Sequence, residues 1–251
     1  MKRLSFFGVI STIVLIGLWH VAATIIDSSF IIPYPRAVLF DLWSLLANKD
    51  FFPMLYATFA RGITAFAVSA ILSFVIGVPA GLFPGFEAST RPWMAVIRAT
   101  PVVSLILIAL FWFGSSIVPI FVAILMTMPI MTDSIVQGIK NTDTNLLVMA
   151  RVYRFSFKNI LFYIRLPSLL PYFIGGAGAS LGISWKVVVA GEILAFPRFG
   201  IGTAMQTARV HLETGRVFSL TIIAVILCLI TEKVFALITR KLAKRISRVK
   251  A

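Results

Sequence analysis

The chain has little of what catalysis and cross-linking require. Its 251 residues include one cysteine, Cys228, and two histidines, His20 and His211, so an internal disulfide is excluded and no Cys/His spacing suits a metal. Acids number nine against 23 lysines and arginines, and they form no constellation that suggests an enzyme site. No G-x-x-x-x-G-K-[ST] loop occurs, which removes that route to cradling ATP phosphates. Cofactors are therefore not expected in this chain. No long linker, low-complexity tract or clear internal repeat breaks it, and residues 1–251 read as one domain.

What the chain has in abundance is apolar length. Hydrophobic residues make up 59%, charged residues only 13%, and the mean hydropathy is +0.99. That composition belongs to polytopic membrane proteins rather than soluble domains. Six apolar runs are long enough to cross a bilayer at about 1.5 Å per residue: about 4–26, 55–83, 93–113, 117–139, 168–195 and 217–239. The first exceeds a signal-peptide core and ends in no small-x-small site, so it is expected to be retained. Pro35 opens an amphipathic segment with Val38, Leu42 and Leu45 on one face, expected at the outer surface. Gly175, Gly176, Gly178, Ala179 and Gly182 suit close helix packing in lipid. The formal charge of +14 is explained by topology rather than by nucleic acid. With both termini cytoplasmic, 14 Lys and Arg fall on the inner side and five on the outer, as the positive-inside rule requires.

One stretch, residues 141–171, is polar and basic between two such runs yet has helical periodicity. Leu146, Ala150 and Tyr153 form one stripe, and Phe157, Ile160, Leu161 and Ile164 another. Thr142 or Asp143 suits the cap of the first helix and Ser156 that of the second, and Pro167 marks the junction with the next run. Two short amphipathic helices with the flanking cations Arg151 and Arg154 would serve a protein partner or lie on the lipid surface.

These residues resemble a family. Ala150, Ile164, Leu166 and Pro167 stand in the register of the Glu-Ala-Ala, three residues, Gly, nine residues, Ile-x-Leu-Pro motif of ABC importer permeases, while Val148, Met149 and Arg154 replace its Glu, first Ala and Gly. The runs IIPYPRAV, GVPAG, IRATPVVSLILIALFWFG and SWKVVVAGEIL look like the branch serving nitrate, sulfonate, taurine and similar small, often anionic solutes. The resemblance implies an all-α, type I importer-like bundle of about six transmembrane helices in the cytoplasmic (inner) membrane. It implies that residues 141–167 form a cytoplasmic coupling-helix loop. ATPase docking would then fall to Leu146, Ala150, Arg151, Tyr153, Arg154, Phe157, Ile160, Ile164, Leu166 and Pro167. The partners implied are ABC ATPase subunits holding ATP and magnesium, a second permease copy or homologue, and an extracytoplasmic solute-binding protein. A Cβ at the family's glycine position is costly if φ is positive there.

Charges within apolar runs are functional hypotheses by default. Lys186, midway in the fifth run beside Trp185, either faces a translocation path or pairs with Glu192 or Asp133. Glu192, near the outer end, either contacts a binding protein, closes an outer gate or snorkels to the interface. Arg98 is expected to anchor the bundle with Asp133 as its charge partner. The competing readings are a passive channel, which has no need of a polar two-helix loop, and a membrane scaffold or enzyme, which would show polar residues clustered at one interface.

Overall fold

The computed structural model describes the backbone of residues 2–249 and the side chains of residues 10–241. The basic pair Lys2 and Arg3 and the tail cations from Lys244 onward lie outside the described side chains. Among the described residues eleven helices run in order: α1 (Lys2–Ile26), α2 (Pro35–Leu46), α3 (Phe51–Leu82), α4 (Pro84–Ala99), α5 (Val102–Ala109), α6 (Val118–Lys140), α7 (Thr144–Val152), α8 (Phe157–Ile160), α9 (Leu166–Ala195), α10 (Ile201–Val210) and α11 (Thr214–Val249), with a π turn at Leu161–Arg165 joining α8 to α9. No strand occurs among the described residues.

The centre of the bundle is α3, α6 and α9. Apolar burial gives little drive between helices in lipid, so close approach and small polar contacts must hold them together. Backbones nearly touch at two points. A Cβ added to Gly138 would lie 2.7 Å from the Leu169 Cα, and one added to Gly191 would lie 2.8 Å from the Pro119 Cα. Between them Ser69 and Thr127 share a hydrogen bond of 2.7 Å, and Ser73 donates to the Met128 carbonyl at 3.0 Å. On the small-residue stripe of α9, Gly176 packs against Ser134 of α6, whereas Gly175 faces open space.

Among the described residues, four helical stretches are long and apolar enough to cross a membrane: Phe51–Leu82, Val118–Lys140, Phe157–Ala195 and Thr214–Lys241. The run expected at 93–113 is not one straight span. It is divided between α4 and α5, which meet at 96° and count as a fifth crossing only when joined. Pro101 explains the bend, since a residue before proline is pushed out of the helical region, and Thr100 sits at φ −74°, ψ 128°. A further apolar segment, Ile10–Ile26 of α1, is shorter. Of its residues only Ala23 is fully buried. Trp19 ties α1 to the bundle by stacking on Phe218 with centroids 5.7 Å apart and donating to the Pro33 carbonyl at 3.1 Å. α2 begins at Pro35 and buries Val38 and Leu45, and Ser219 of α11 donates to the Val38 carbonyl at 2.8 Å.

Pro167 does not end the second loop helix. Proline cannot donate to the helical ladder, and the π turn just before it carries the chain without a break from Phe157 to Ala195. The helix bearing part of the basic loop is therefore continuous with the fifth span. The last helix likewise runs on past the expected end at 239, to Val249.

Candidate functional site

Three places in this frame gather the residues singled out above. The first is the basic loop. Asp143 caps α7 by accepting from the Asn145 amide at 2.8 Å, and Ser156 caps α8 by accepting from the Asn159 amide at 3.4 Å. Between them α7 closes with paired bonds, Phe155 N–H to the Ala150 carbonyl at 2.8 Å and Arg154 N–H to the Arg151 carbonyl at 3.0 Å. This is a Schellman arrangement, which requires a left-handed residue at its turn and usually has glycine there. Arg154 occupies that place with φ 52°. A non-glycine residue pays about 1–2 kcal/mol for that conformation.

The expected stripe of Leu146, Ala150 and Tyr153 is not a single buried face. Ala150 is fully buried, Leu146 is partly exposed, and Tyr153 lies just past the end of α7 with its ring in the open. Ile164 is buried, Ile160, Leu166 and Pro167 are half-buried, and Phe157 is exposed. Arg151 joins Phe157, Ile160 and Arg165 around a small cavity of about 110 Å³ between α7 and α8. The loop thus presents exposed apolar side chains, among them Val152, Tyr153, Phe157 and Tyr163, beside exposed cations.

The second place lies at the C-terminal end of α9, and it overturns the interfacial reading of Glu192. This carboxylate is fully buried. Arg61 Nη1 of α3 donates to Oε1 at 2.6 Å, Thr58 Oγ1 donates at 2.9–3.0 Å, and the Gly202 amide donates to Oε2 at 2.9 Å. Arg61 also donates to the Phe199 carbonyl at 2.7 Å, and Thr58 Oγ1 accepts from the Ile201 amide at 2.8 Å. The reason lies in α10, which opens after Gly200 and so has no side chain of its own to cap it. Its free first-turn amides need acceptors. Glu192 of α9 and Thr58 of α3 supply them, with a negative charge at the positive end of the helix. Gly200 leaves the room, since a Cβ there would lie 2.6 Å from the Glu192 carboxyl carbon. Phe196, left-handed at φ 50°, ends α9 and turns the chain toward this node. Arg61 was not singled out from the sequence, although a lone cation in an apolar run carries the same signal as Lys186.

The third place is mid-span. Arg98 of α4 is ion-paired with Asp133 of α6, both about half exposed. Lys186 pairs with neither Glu192 nor Asp133, since each of those acids is engaged by an arginine. It is exposed on α9, with no carboxylate in ion-pairing range among the described residues. It lines a cavity of about 530 Å³ between α9, α10 and α11 together with Trp185, Cys228 and Glu232. Trp185 is buried, stacks on Phe59 with centroids 6.1 Å apart, and turns the edge of its six-membered ring to Gly62 of α3. Glu232 also went unremarked in the sequence, hidden near the end of the last apolar run.

Comparison with known proteins places this architecture. A putative aliphatic sulfonates transport permease protein, SsuC, of Bacillus subtilis is 27% identical over 94% of this chain and 86% of its own length. The taurine transport system permease protein TauC of Escherichia coli is 27% identical over 85% of this chain and 80% of its own. The crystal structure of an amino acid ABC transporter with histidines superposes with a TM-score of 0.61, covering 80% of this chain and 98% of that one at 14% identity, which establishes a shared fold. Residues 73–244 match the family described as binding-protein-dependent transport system inner membrane component, and the chain, an integral membrane permease subunit of an ABC importer, belongs to it.

Proposed function

We propose that this permease subunit passes a small anion of the sulfonate type along a path that includes Lys186, driven by a separate ATPase docked on residues 141–167. The observation that carries the solute class is charge accounting inside the bundle. Arg61 and Arg98 are each neutralised by a carboxylate, while Lys186 is not, and it borders open space. A fixed, unneutralised cation lowers the barrier to an anion and raises it to a cation. The names of the SsuC and TauC relatives, which speak of sulfonates and taurine, agree with that sign.

The rest of the assembly follows the same reading. The whole chain forms one transmembrane domain in the cytoplasmic membrane, with both termini and the basic loop inside. ATP and magnesium are held by the ATPase, and solute arrives from an extracytoplasmic binding protein. A second permease, a copy or a homologue, covers apolar surface such as that of α1, which its own bundle leaves bare. Motion of the ATPase passes through the loop into the bundle without a hinge, because α8, the π turn and α9 are one continuous helix.

The test has two arms. Gentle purification from native membranes, with crosslinking through the loop, is expected to bring down an ATPase, and its absence would sink the docking claim. Reconstituted with that ATPase and the binding protein in liposomes, the Lys186→Met variant is expected to lose most ATP-driven uptake of radiolabelled ethanesulfonate while keeping its ATPase bound. Unchanged uptake in that variant would overturn the role of Lys186.

A further inference from the structure

Arg151 and Arg165 share one small space, and no acid of the chain pairs with either. Arg151 comes from the last turn of α7 and Arg165 from the end of the π turn, and both line the cavity of about 110 Å³ between α7 and α8. Neither forms an ion pair among the described residues, and the Arg165 Nε is buried without an acceptor. From Asn145 to Gly191 the sequence holds no aspartate or glutamate. The motif's glutamate position is taken by Val148, which is exposed. Two like charges on one cavity repel, and an anion between them replaces that repulsion with two charge-assisted contacts. The rest of the lining is apolar, from Leu147, Phe157, Ile160 and Leu161, so the anionic group that fits arrives on a short aliphatic stem.

Lipid headgroups and protein side chains both offer anions, and three observations favour protein. At about 1.5 Å per residue the 39-residue helix Phe157–Ala195 is about 58 Å long, against about 40–45 Å for a bilayer with its headgroups. With Ala195 at one face of the bilayer, the α8 end therefore stands beyond the headgroups of the other. A lipid phosphodiester carries a substituent on each side whereas a carboxylate ends its stem, so the small volume suits an acid side chain. The exposed neighbours Tyr153, Phe157 and Tyr163, with the arginines, give the aromatic and arginine composition that protein interfaces enrich. We infer that the cavity is a socket for one aspartate or glutamate side chain of the docked ATPase, gripped by the forks of Arg151 and Arg165. The inference rests on the ATPase-docking reading and deepens it. An ATPase that serves this chain carries an acid where it meets α7 and α8, and one lacking that acid binds it poorly.

The permease in phosphatidylcholine nanodiscs is recombined with the ATPase that copurifies with it, and the affinity is read by biolayer interferometry. Arg151→Gln and Arg165→Gln are each expected to weaken binding about thirtyfold or more, the low end for truncating one partner of a buried interfacial charge pair. Lys158→Gln, on an exposed cation outside the cavity, is expected to change it by less than about threefold. A second arm does not depend on lost binding. Arg151→Lys and Arg165→Lys keep the charge and put a primary amine at the cavity, and a water-soluble carbodiimide then joins that amine to a carboxylate in contact with it. Mass spectrometry is expected to find the amide bond on one aspartate or glutamate of the ATPase, and converting that acid to its amide is expected to weaken the native complex about as much as the glutamine variants do. Native affinity in both glutamine variants, an equal loss in Lys158→Gln, or no bond to an ATPase acid overturns the socket. A loss that appears only in nanodiscs containing phosphatidylglycerol assigns the arginines to lipid phosphate and overturns it too. If the native chain binds no ATPase in either membrane, the docking reading itself fails; if it binds and the variants bind equally, the socket alone fails.

Discussion

Replacing Arg61 with methionine tests the buried node at the C-terminal end of α9. The substitution removes both Nη1 bonds, to Glu192 at 2.6 Å and to the Phe199 carbonyl at 2.7 Å, and leaves a fully buried carboxylate with only the Thr58 hydroxyl and the Gly202 amide. The two side chains are 10% and 0% exposed, so solvent does little to soften the loss. Breaking one partner of such a pair costs about 3–5 kcal/mol, because an uncompensated charge stays behind. Neutral interhelical hydrogen bonds in membranes average only about 0.6 kcal/mol, since the unfolded chain in lipid finds other partners. A desolvated carboxylate is held to be the stronger case. Glu192→Gln keeps the shape and leaves Arg61 facing a neutral amide, for about 2–3 kcal/mol. The double variant Arg61→Met/Glu192→Met removes both charges and is expected within about 2 kcal/mol of the native chain, far less than the sum. Reversible unfolding of the purified chain in mixed micelles, titrated with dodecyl sulfate and followed by the fluorescence of its five tryptophans, measures all three. Single losses below about 1 kcal/mol, or a double loss equal to their sum, would refute the argument that a desolvated charge pair holds α10 to α3 and α9.

The same assay reads four further substitutions. Gly138→Ala places a Cβ 2.7 Å from the Leu169 Cα, a backbone atom that cannot swing aside, so α6 and α9 are forced apart at a cost of about 2 kcal/mol. Gly175→Ala, on the same helix pair but with nothing within 4 Å, is expected to cost nothing, and a similar loss at both sites would discredit the close-approach argument. Arg154→Gly relieves a left-handed residue at φ 52°. The gain of about 1–2 kcal/mol, less about 0.4–1 for the added freedom of the unfolded chain, leaves a small net stabilisation; a loss would mean that the Arg154 side chain makes contacts outweighing its strain. Arg98→Met breaks a pair about half exposed on both sides and is expected to cost under about 1 kcal/mol. A loss above about 3 would mean that lipid or a second subunit desolvates it.

Hydropathy made the bundle legible and also set the limit of what could be read. A window average sees apolar length, so the spans stand out, but it is blind to the 96° turn between α4 and α5 because both sides of Pro101 are apolar. The local rule at Thr100–Pro101 carried that information, as the caps at Asp143 and Ser156 carried theirs. Burial at a span's end is harder. Glu192 lies where a snorkelling acid would lie, and only its demand from elsewhere tells the difference. That demand is visible in the sequence as Gly200, a helix start with no oxygen to offer its own amides, so an acceptor had to come from a neighbouring segment.

Charge pairing follows the same logic of supply and geometry. The six apolar runs of the sequence hold three acids, Asp133, Glu192 and Glu232, and four cations, Arg61, Arg98, Lys186 and Lys233. The two arginines, with planar and always-charged forks suited to fixed carboxylate geometry, take Asp133 and Glu192 and thereby fasten α4 to α6 and α3 to α9. Lysine is a point charge on a flexible stem, poor at fastening helices and well suited to following something that moves. Of the two lysines it is Lys186 that lines the cavity between α9, α10 and α11, together with Glu232, the acid that no arginine engages. On the proposed path of Lys186, structural and working charges divide by side-chain type, and Lys186→Arg is then expected to keep the fold and impair uptake; unchanged uptake would refute that division.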